Sequence, residues 1–199
     1  IAQNAAAALN LAIGQSAGQT ITSGTQNVLI GHQAGESIAD DSYNTALGYN
    51  ALKGSTAGNS NTAIGASAMD AAITGSSNTA VGSSALGAAA ADMSNNTAIG
   101  VSALANLNDV DSDGNVAVGQ GAGDQYNAGS DGDLVQALNC VFIGKDTKPN
   151  RGTTINPAAN QIVIGYNAIG IGDNTIALGD TNITAIKGQV DFAAYSDRR

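Results

Sequence analysis

The densest group of chemically capable side chains is Asp109-Val-Asp111-Ser-Asp113-Gly-Asn115. Three carboxylates at alternate positions ahead of a glycine match the opening of an EF-hand-type calcium loop, where hard oxygen ligands surround a hard cation. Asp109, Asp111 and Asp113 are therefore the candidate metal ligands, with Ca2+ as the ion. The twelfth position is Gln120 instead of a bidentate Glu, and no helix flanks the loop on either side. The competing reading is a solvated acidic turn. Asp131 and Asp133 add two more carboxylates, and a pair about 5–10 Å apart is what glycoside hydrolysis requires. Aromatic side chains, the usual lining of sugar subsites, are scarce: no Trp, two Phe and five Tyr. Cys140 is the single cysteine, so no intrachain disulfide exists. A nucleophilic cysteine wants a histidine nearby, but His32 lies over a hundred positions away in sequence. Cys140 reads as a small filler and His32 as a surface residue. The chain is not expected to be an enzyme acting on an external substrate.

The frame that holds these residues is a repeat. Asn61-Thr-Ala-Ile-Gly65 returns as Asn10-Leu-Ala-Ile-Gly14, Asn27-Val-Leu-Ile-Gly31, Asn44-Thr-Ala-Leu-Gly48, Asn78-Thr-Ala-Val-Gly82, Asn96-Thr-Ala-Ile-Gly100 and Asn115-Val-Ala-Val-Gly119. Glycines 14, 31, 48, 65 and 82 are 17 apart by their numbering, and later steps lengthen toward Gly144 and Gly165. A fixed short period predicts a solenoid of stacked coils. Cys140 takes the asparagine place in Cys140-Val-Phe-Ile-Gly144.

Within each repeat the alternation of a strand places Thr and Ile on one face and Asn, Ala and Gly on the other. The Ile, Val or Leu before the glycine is the bulkiest side chain of the unit. It is expected either inside the coil or in a seam between chains. The glycine allows a tight corner or close backbone approach. Ala66-Ser-Ala-Met69 reads as a return strand, giving two short strands and two bends per repeat. The asparagine column is expected to bond to backbone at a turn, with an amide ladder as the other arrangement. A thin coil buries little alone, so self-association is expected to cover its alanine-rich face.

Net charge is −9, with fifteen Asp, one Glu and seven Lys plus Arg. Such a surface is unsuited to phosphate backbones, and no nucleic-acid partner is expected. Six of the seven basic residues fall at Lys145 or later. Neither a signal peptide nor a membrane span is legible, and the missing initiator Met reads as a fragment. Residues 1–9 form an Ala-rich lead-in, 10–182 the repeat domain and 183–199 a C-terminal junction. Two long excursions, 120–139 and 145–160, interrupt the repeat domain and are expected to be surface loops.

Asn-Thr-Ala-Ile-Gly-x-x-Ala resembles the head repeat of YadA-type trimeric autotransporter adhesins. The resemblance spans roughly residues 10–182 and implies an all-β, left-handed parallel β-roll assembled as a homotrimer. The period here is longer, and the neck motif of the bacterial heads is missing. At the other end, Ser196-Asp197-Arg198-Arg199 resembles the S-D-x-R start of the endosialidase-type intramolecular chaperone of phage tail fibres and tailspikes. That resemblance implies self-cleavage of a precursor beside Ser196, with Ser196 as nucleophile.

Together these resemblances imply an extracellular phage tail-fibre segment that attaches to a host-cell glycan or protein. The head of a bacterial trimeric adhesin, on the bacterial surface, is the alternative, and a polysaccharide-cleaving tailspike is third. An ice-binding face, suggested by the single Thr column at 45, 62, 79 and 97, is remote. Regular coils repeat the same small side chains, so discrimination between receptors is expected from the excursions. Their candidate receptor-binding residues are Asp124, Tyr126, Asp131, Asp133, Lys148 and Arg151.

Overall fold

In a computed structural model the described residues are 9–54, 58–71, 74–87, 92–107, 112–124, 137–150 and 158–183. They form an all-β parallel solenoid with a period near 17 residues and contain no helix. Ten strands of three residues, one per repeat, stack into one sheet. They are β1 (Leu11–Ile13), β2 (Val28–Ile30), β3 (Thr45–Leu47), β4 (Thr62–Ile64), β5 (Thr79–Val81), β6 (Thr97–Ile99), β7 (Val116–Val118), β9 (Val141–Ile143), β11 (Ile162–Ile164) and β12 (Ile176–Leu178). Two shorter strands, β8 (Ala137–Leu138) and β10 (Ala158–Ala159), pair beside it.

Register follows the motif residue for residue. Thr62 pairs with Thr79, Ala63 with Ala80 and Ile64 with Val81, and every other junction keeps the same alignment. The lengthened repeats keep it too, since Val116 pairs with Val141 across the first excursion. Extra residues therefore leave the strand stack undisturbed.

The alternation expected within each strand is present, but the face that turns inward differs from the one size suggested. The central residues, among them Ala46, Ala63, Ala80, Ala98, Ala117 and Phe142, are fully buried. The bulky residue before each glycine lies outside: Ile13, Leu47, Ile99, Val118, Ile143, Ile164 and Leu178 are 37–52% exposed. The coil is too narrow to take it. A second inward column, formed by the alanines 34, 51, 68, 85, 103, 122 and 168, stands opposite, and all are fully buried.

The return half of the repeat is also not a strand. Residues 66–69 form a turn in which Ser67 and Met69 have φ of 55° and 51°. Its backbone still bonds between coils, with Ser67 N–H donating to Tyr49 O at 2.8 Å and Met69 N–H to Ala85 O at 3.0 Å. Alternate left-handed residues keep the segment extended along the coil while turning it, so the hydrogen bonds between coils survive without strand geometry.

The motif glycines sit at φ from 126° to 142° between Gly14 and Gly165. A Cβ on Gly65 would run into the carbonyl of Gly82 in the next coil. Both the conformation and the close stacking demand glycine.

Candidate functional site: the outer sheet face and the C-terminal cleft

Two surfaces stand out from the regular array. The first is the outer face of the ten-stranded sheet. The outward residue before each glycine, exposed or half-buried, forms a continuous column, Ile13-Ile30-Leu47-Ile64-Val81-Ile99-Val118-Ile143-Ile164-Leu178. Beside it runs Leu11-Val28-Thr45-Thr62-Thr79-Thr97-Val116-Val141-Ile162-Ile176 in the same register. With strands about 4.8 Å apart, the stripe extends for roughly 40 Å. No charged residue falls within either column.

The asparagine column ties each coil to the next beside this face. The Oδ1 of each Asn from Asn10 to Asn115 accepts the backbone N–H of the residue stacked on it, at 2.8–3.0 Å. Each Nδ2 donates to a backbone carbonyl fourteen to twenty-two positions ahead, at 2.6–3.0 Å. The expected bonding to backbone is thus the main arrangement. Amide-to-amide bonds join it at Asn78, Asn96 and Asn115, at 3.0–3.3 Å.

Cys140 continues the column and is fully buried. Its N–H donates to Asn115 Oδ1 at 2.9 Å, its Sγ reaches Ala158 O at 3.4 Å, and Gln161 N–H donates to that Sγ at 3.4 Å. Burial pushes the thiol pKa above its ordinary value, opposed by backbone hydrogen bonds to Gln161 and Leu138, so the group is an inert structural thiol. His32 is exposed, as its sequence position implied, and stacks on Tyr49 with ring centroids 5.3 Å apart.

The second surface is a cleft of about 690 Å³ at the C-terminal end, lined by Lys148, Asn150, Asn167, Ile169, Ile171 and Asp180 among others. Lys148 bridges Ile169 in parallel, donates its N–H to Ala168 O at 2.9 Å and accepts from Gly170 N–H at 2.8 Å. Gln161, fully buried, clamps Asn150: its Oε1 accepts the Asn150 N–H at 3.1 Å and its Nε2 donates to Asn150 O at 2.6 Å. The opposite wall is the turn at Asp180. Its Oδ1 accepts Asn182 N–H at 2.9 Å and its Oδ2 accepts Asn182 Nδ2 at 2.8 Å. Those bonds hold the Asp180 pKa below the usual carboxylate value, which keeps it ionised.

Of the residues singled out from sequence, Asp109, Asp111, Tyr126, Asp131, Asp133, Arg151 and Ser196 lie outside the described residues. Asp113 binds between coils: its Oδ1 accepts Ser94 N–H at 2.6 Å and its carbonyl accepts Asn139 N–H at 2.9 Å. Among the described residues no three His, Cys, Asp or Glu side chains converge as a metal site would require. Asp124 is half-buried and engaged by Asn106, whose N–H and Nδ2 donate to its Oδ1 at 3.1 and 2.9 Å. Burial raises its pKa, and the hydrogen bonds from Asn106 and Ala105 oppose that rise.

Gly123 N–H donates to Thr147 O at 2.8 Å and Lys148 N–H to Ala168 O at 2.9 Å, so Gly123 and Lys148 occupy corresponding places in consecutive coils, with Asp124 one residue further on. The repeat register brings the two excursions side by side at this point. The sequence reading missed Asn167, Ile169, Ile171 and Asp180. Their signal was the shortened spacing of Gly165, Gly172 and Gly179, which marks where the regular coil ends. Comparison of the chain with protein-family models and with curated proteins gives no match.

Proposed function

We propose that this chain is a rigid segment of a homotrimeric phage tail fibre that attaches to a host-cell surface. The observation carrying the reading is the uncharged apolar stripe on the outer sheet face. Its two columns repeat in register over ten strands, and large contiguous exposed apolar faces mark protein–protein contact sites. A second and third copy of the same chain match it in length and spacing, because each carries the same repeat. The seam is therefore the Thr/Val and Ile/Leu/Val face, not the alanine face, which is already interior.

The YadA-like repeat supports a trimer, and the Ser196-Asp197-x-Arg199 junction favours a phage fibre over a bacterial adhesin head. The excursions carrying Asp124, Tyr126, Asp131, Asp133, Lys148 and Arg151 are the proposed receptor-binding elements. In a longer precursor, Ser196 is the proposed self-cleavage nucleophile, and Ser196→Ala should abolish processing there. Calcium at Asp109, Asp111 and Asp113 remains a separate proposal. Calorimetric titration should give heat and protection against unfolding if it is right.

Sedimentation equilibrium tests the assembly. A trimer at micromolar concentration is expected, and a stable monomer would remove the reading. Shortening both excursions to the regular period should leave a trimer that no longer binds host cells.

A further inference from the structure

We infer that the C-terminal cleft is a binding site for a short saccharide bearing a carboxylate. The inference deepens the attachment reading above, because Lys148 belongs to the second excursion.

The cleft lies where the coil interior opens. Leu52 N–H, Met69 N–H, Leu86 N–H and Leu104 N–H each bond to the carbonyl of the inward residue in the next coil, and Lys148 N–H does the same to Ala168 O. Lys148 therefore occupies the register position of four fully buried apolar residues. Those four have φ of 50–54°, whereas neither Lys148 nor Ile169 has a positive φ. The backbone change turns this position out of the interior, and the last two members of the column, Lys148 and Ile169, line a cavity. A lysine at a core position gains nothing from packing there, and Lys148 pairs with no carboxylate among the described residues.

The walls are held before any ligand arrives. Gln161 fixes Asn150, and a Cβ on Gly170 would displace the Gln161 Oε1 that accepts the Asn150 N–H. Asn182 fixes Asp180 by two bonds. Preorganised polar groups lose little freedom on binding. The volume falls within the range of about 300–1,000 Å³ typical of small-ligand sites.

The lining specifies the ligand. Ile169 and Ile171, the latter 68% exposed, offer an aliphatic surface to the C–H face of a pyranose. Asp180, ionised, accepts from hydroxyls, and Asn167 both donates and accepts. Lys148 supplies the one cation among the described lining residues, and a carboxylate on the sugar gives it a charge-assisted bond. A chain of net charge −9 does not gather anions indiscriminately, so selectivity must come from this local arrangement.

The test is methyl NMR of the intact chain, labelled at isoleucine and titrated with a glucuronic-acid-terminated disaccharide. Its glucose-terminated counterpart and sodium acetate serve as controls. Saturable shifts at Ile169 and Ile171, with affinity at least about tenfold above both controls, are expected. Lys148→Met should remove that margin at unchanged thermal midpoint, and Lys148→Arg should retain it. Equal response to the neutral sugar, equal response to acetate, or no shift at these methyls would each overturn the inference. A monomer that binds would remove the fibre reading and leave the cleft. A trimer with unshifted methyls would do the reverse.

Discussion

Phe142 and Gly123 fill one space between them. A Cβ on Gly123 would stand 2.7 Å from Phe142 Cδ2 and 2.7 Å from Leu104 Cδ2, so the ring exists only because its neighbour has no side chain. The same exchange recurs along the array. Where the central strand residue is Ala46, Ala63, Ala80 or Ala98, the residue after the inward alanine is Leu52, Met69, Leu86 or Leu104. Where the central residue is Leu29, that place holds Gly35 in its own coil and Gly18 in the preceding one, both within 3 Å of a Leu29 methyl had they a Cβ. A large strand residue thus takes the space of a glycine in the turn, within its own coil at Gly35 and across to the preceding coil at Gly18 and Gly123.

This exchange predicts compensation. Phe142→Ala should destabilise the chain by about 3–5 kcal/mol through the cavity it leaves. Gly123→Leu alone should also destabilise, by overpacking. Combined, they reproduce the arrangement of the Ala98 coil, and the double variant should recover much of the loss. Leucine already adopts the needed φ at 52, 86 and 104. Denaturant unfolding of the double-mutant cycle measures the coupling, and strictly additive losses would refute the exchange.

The asparagine column gives a second prediction. Asn61→Ala removes the acceptor for Asn78 N–H and the donor to Gly75 O, both buried between coils. A loss of about 1–3 kcal/mol for each orphaned group follows. Asn61→Asp keeps the acceptor but buries a charge beside a carbonyl, so it should be worse than alanine at pH 7 and recover on acidification. Thermal melts of both variants at pH 7 and pH 3 check the order.

Most of this frame was legible because the motif specifies strand, corner and register together. Asn-Thr-Ala-Ile-Gly marks each strand to the residue, and Cys140 could be placed in the asparagine column by alignment alone. The alternation was also readable, but not which face turns inward. Size points Ile64 inward, yet the interior is shared with Met69 from the turn, so only Ala63 fits from the strand. The turn conformation escaped because left-handed Ser and Met leave no compositional mark as glycine does. The cleft escaped because it arises where the repeat stops, and a broken period carries no pattern of its own.

Asp41 yields a pH prediction. It is 94% buried, since its relative exposure is 6%, and its Oδ2 has no hydrogen-bond partner among the described residues. Desolvation raises its pKa above the ordinary carboxylate value of 3.8, the Gly58 N–H opposes, and the charge of Asp40 adds to the rise. The folded state thus binds the proton more readily than the unfolded chain does. Ionised Asp41 costs stability at neutral pH, and that cost disappears as pH falls through the folded and then the unfolded value. Asp41→Asn should raise the thermal midpoint at pH 7, with the gain shrinking toward pH 3. Asp40 shifts the opposite way through its bonds from Ser23 and Thr22, so it stays ionised at neutral pH and its repulsion of Asp41 is part of what Asp41→Asn relieves.

The outer and inner faces of one strand should respond differently to the same charge. Ala98 is fully buried in β6, and Ile99 beside it is 41% exposed on the apolar stripe. Ala98→Asp places an unpaired carboxylate in the coil interior, where no water or cation can reach it, and should prevent folding. Ile99→Asp places the same group on the sheet surface, where a lone coil leaves it hydrated. If copies of the chain meet along this stripe, the substitution buries three carboxylates against one another, and a folded monomer should replace the trimer. Circular dichroism reads the fold and sedimentation reads the assembly. Ile99→Asp that remains trimeric would move the seam to another face. Ile99→Asp that unfolds like Ala98→Asp would mean that the coil cannot stand without its neighbours.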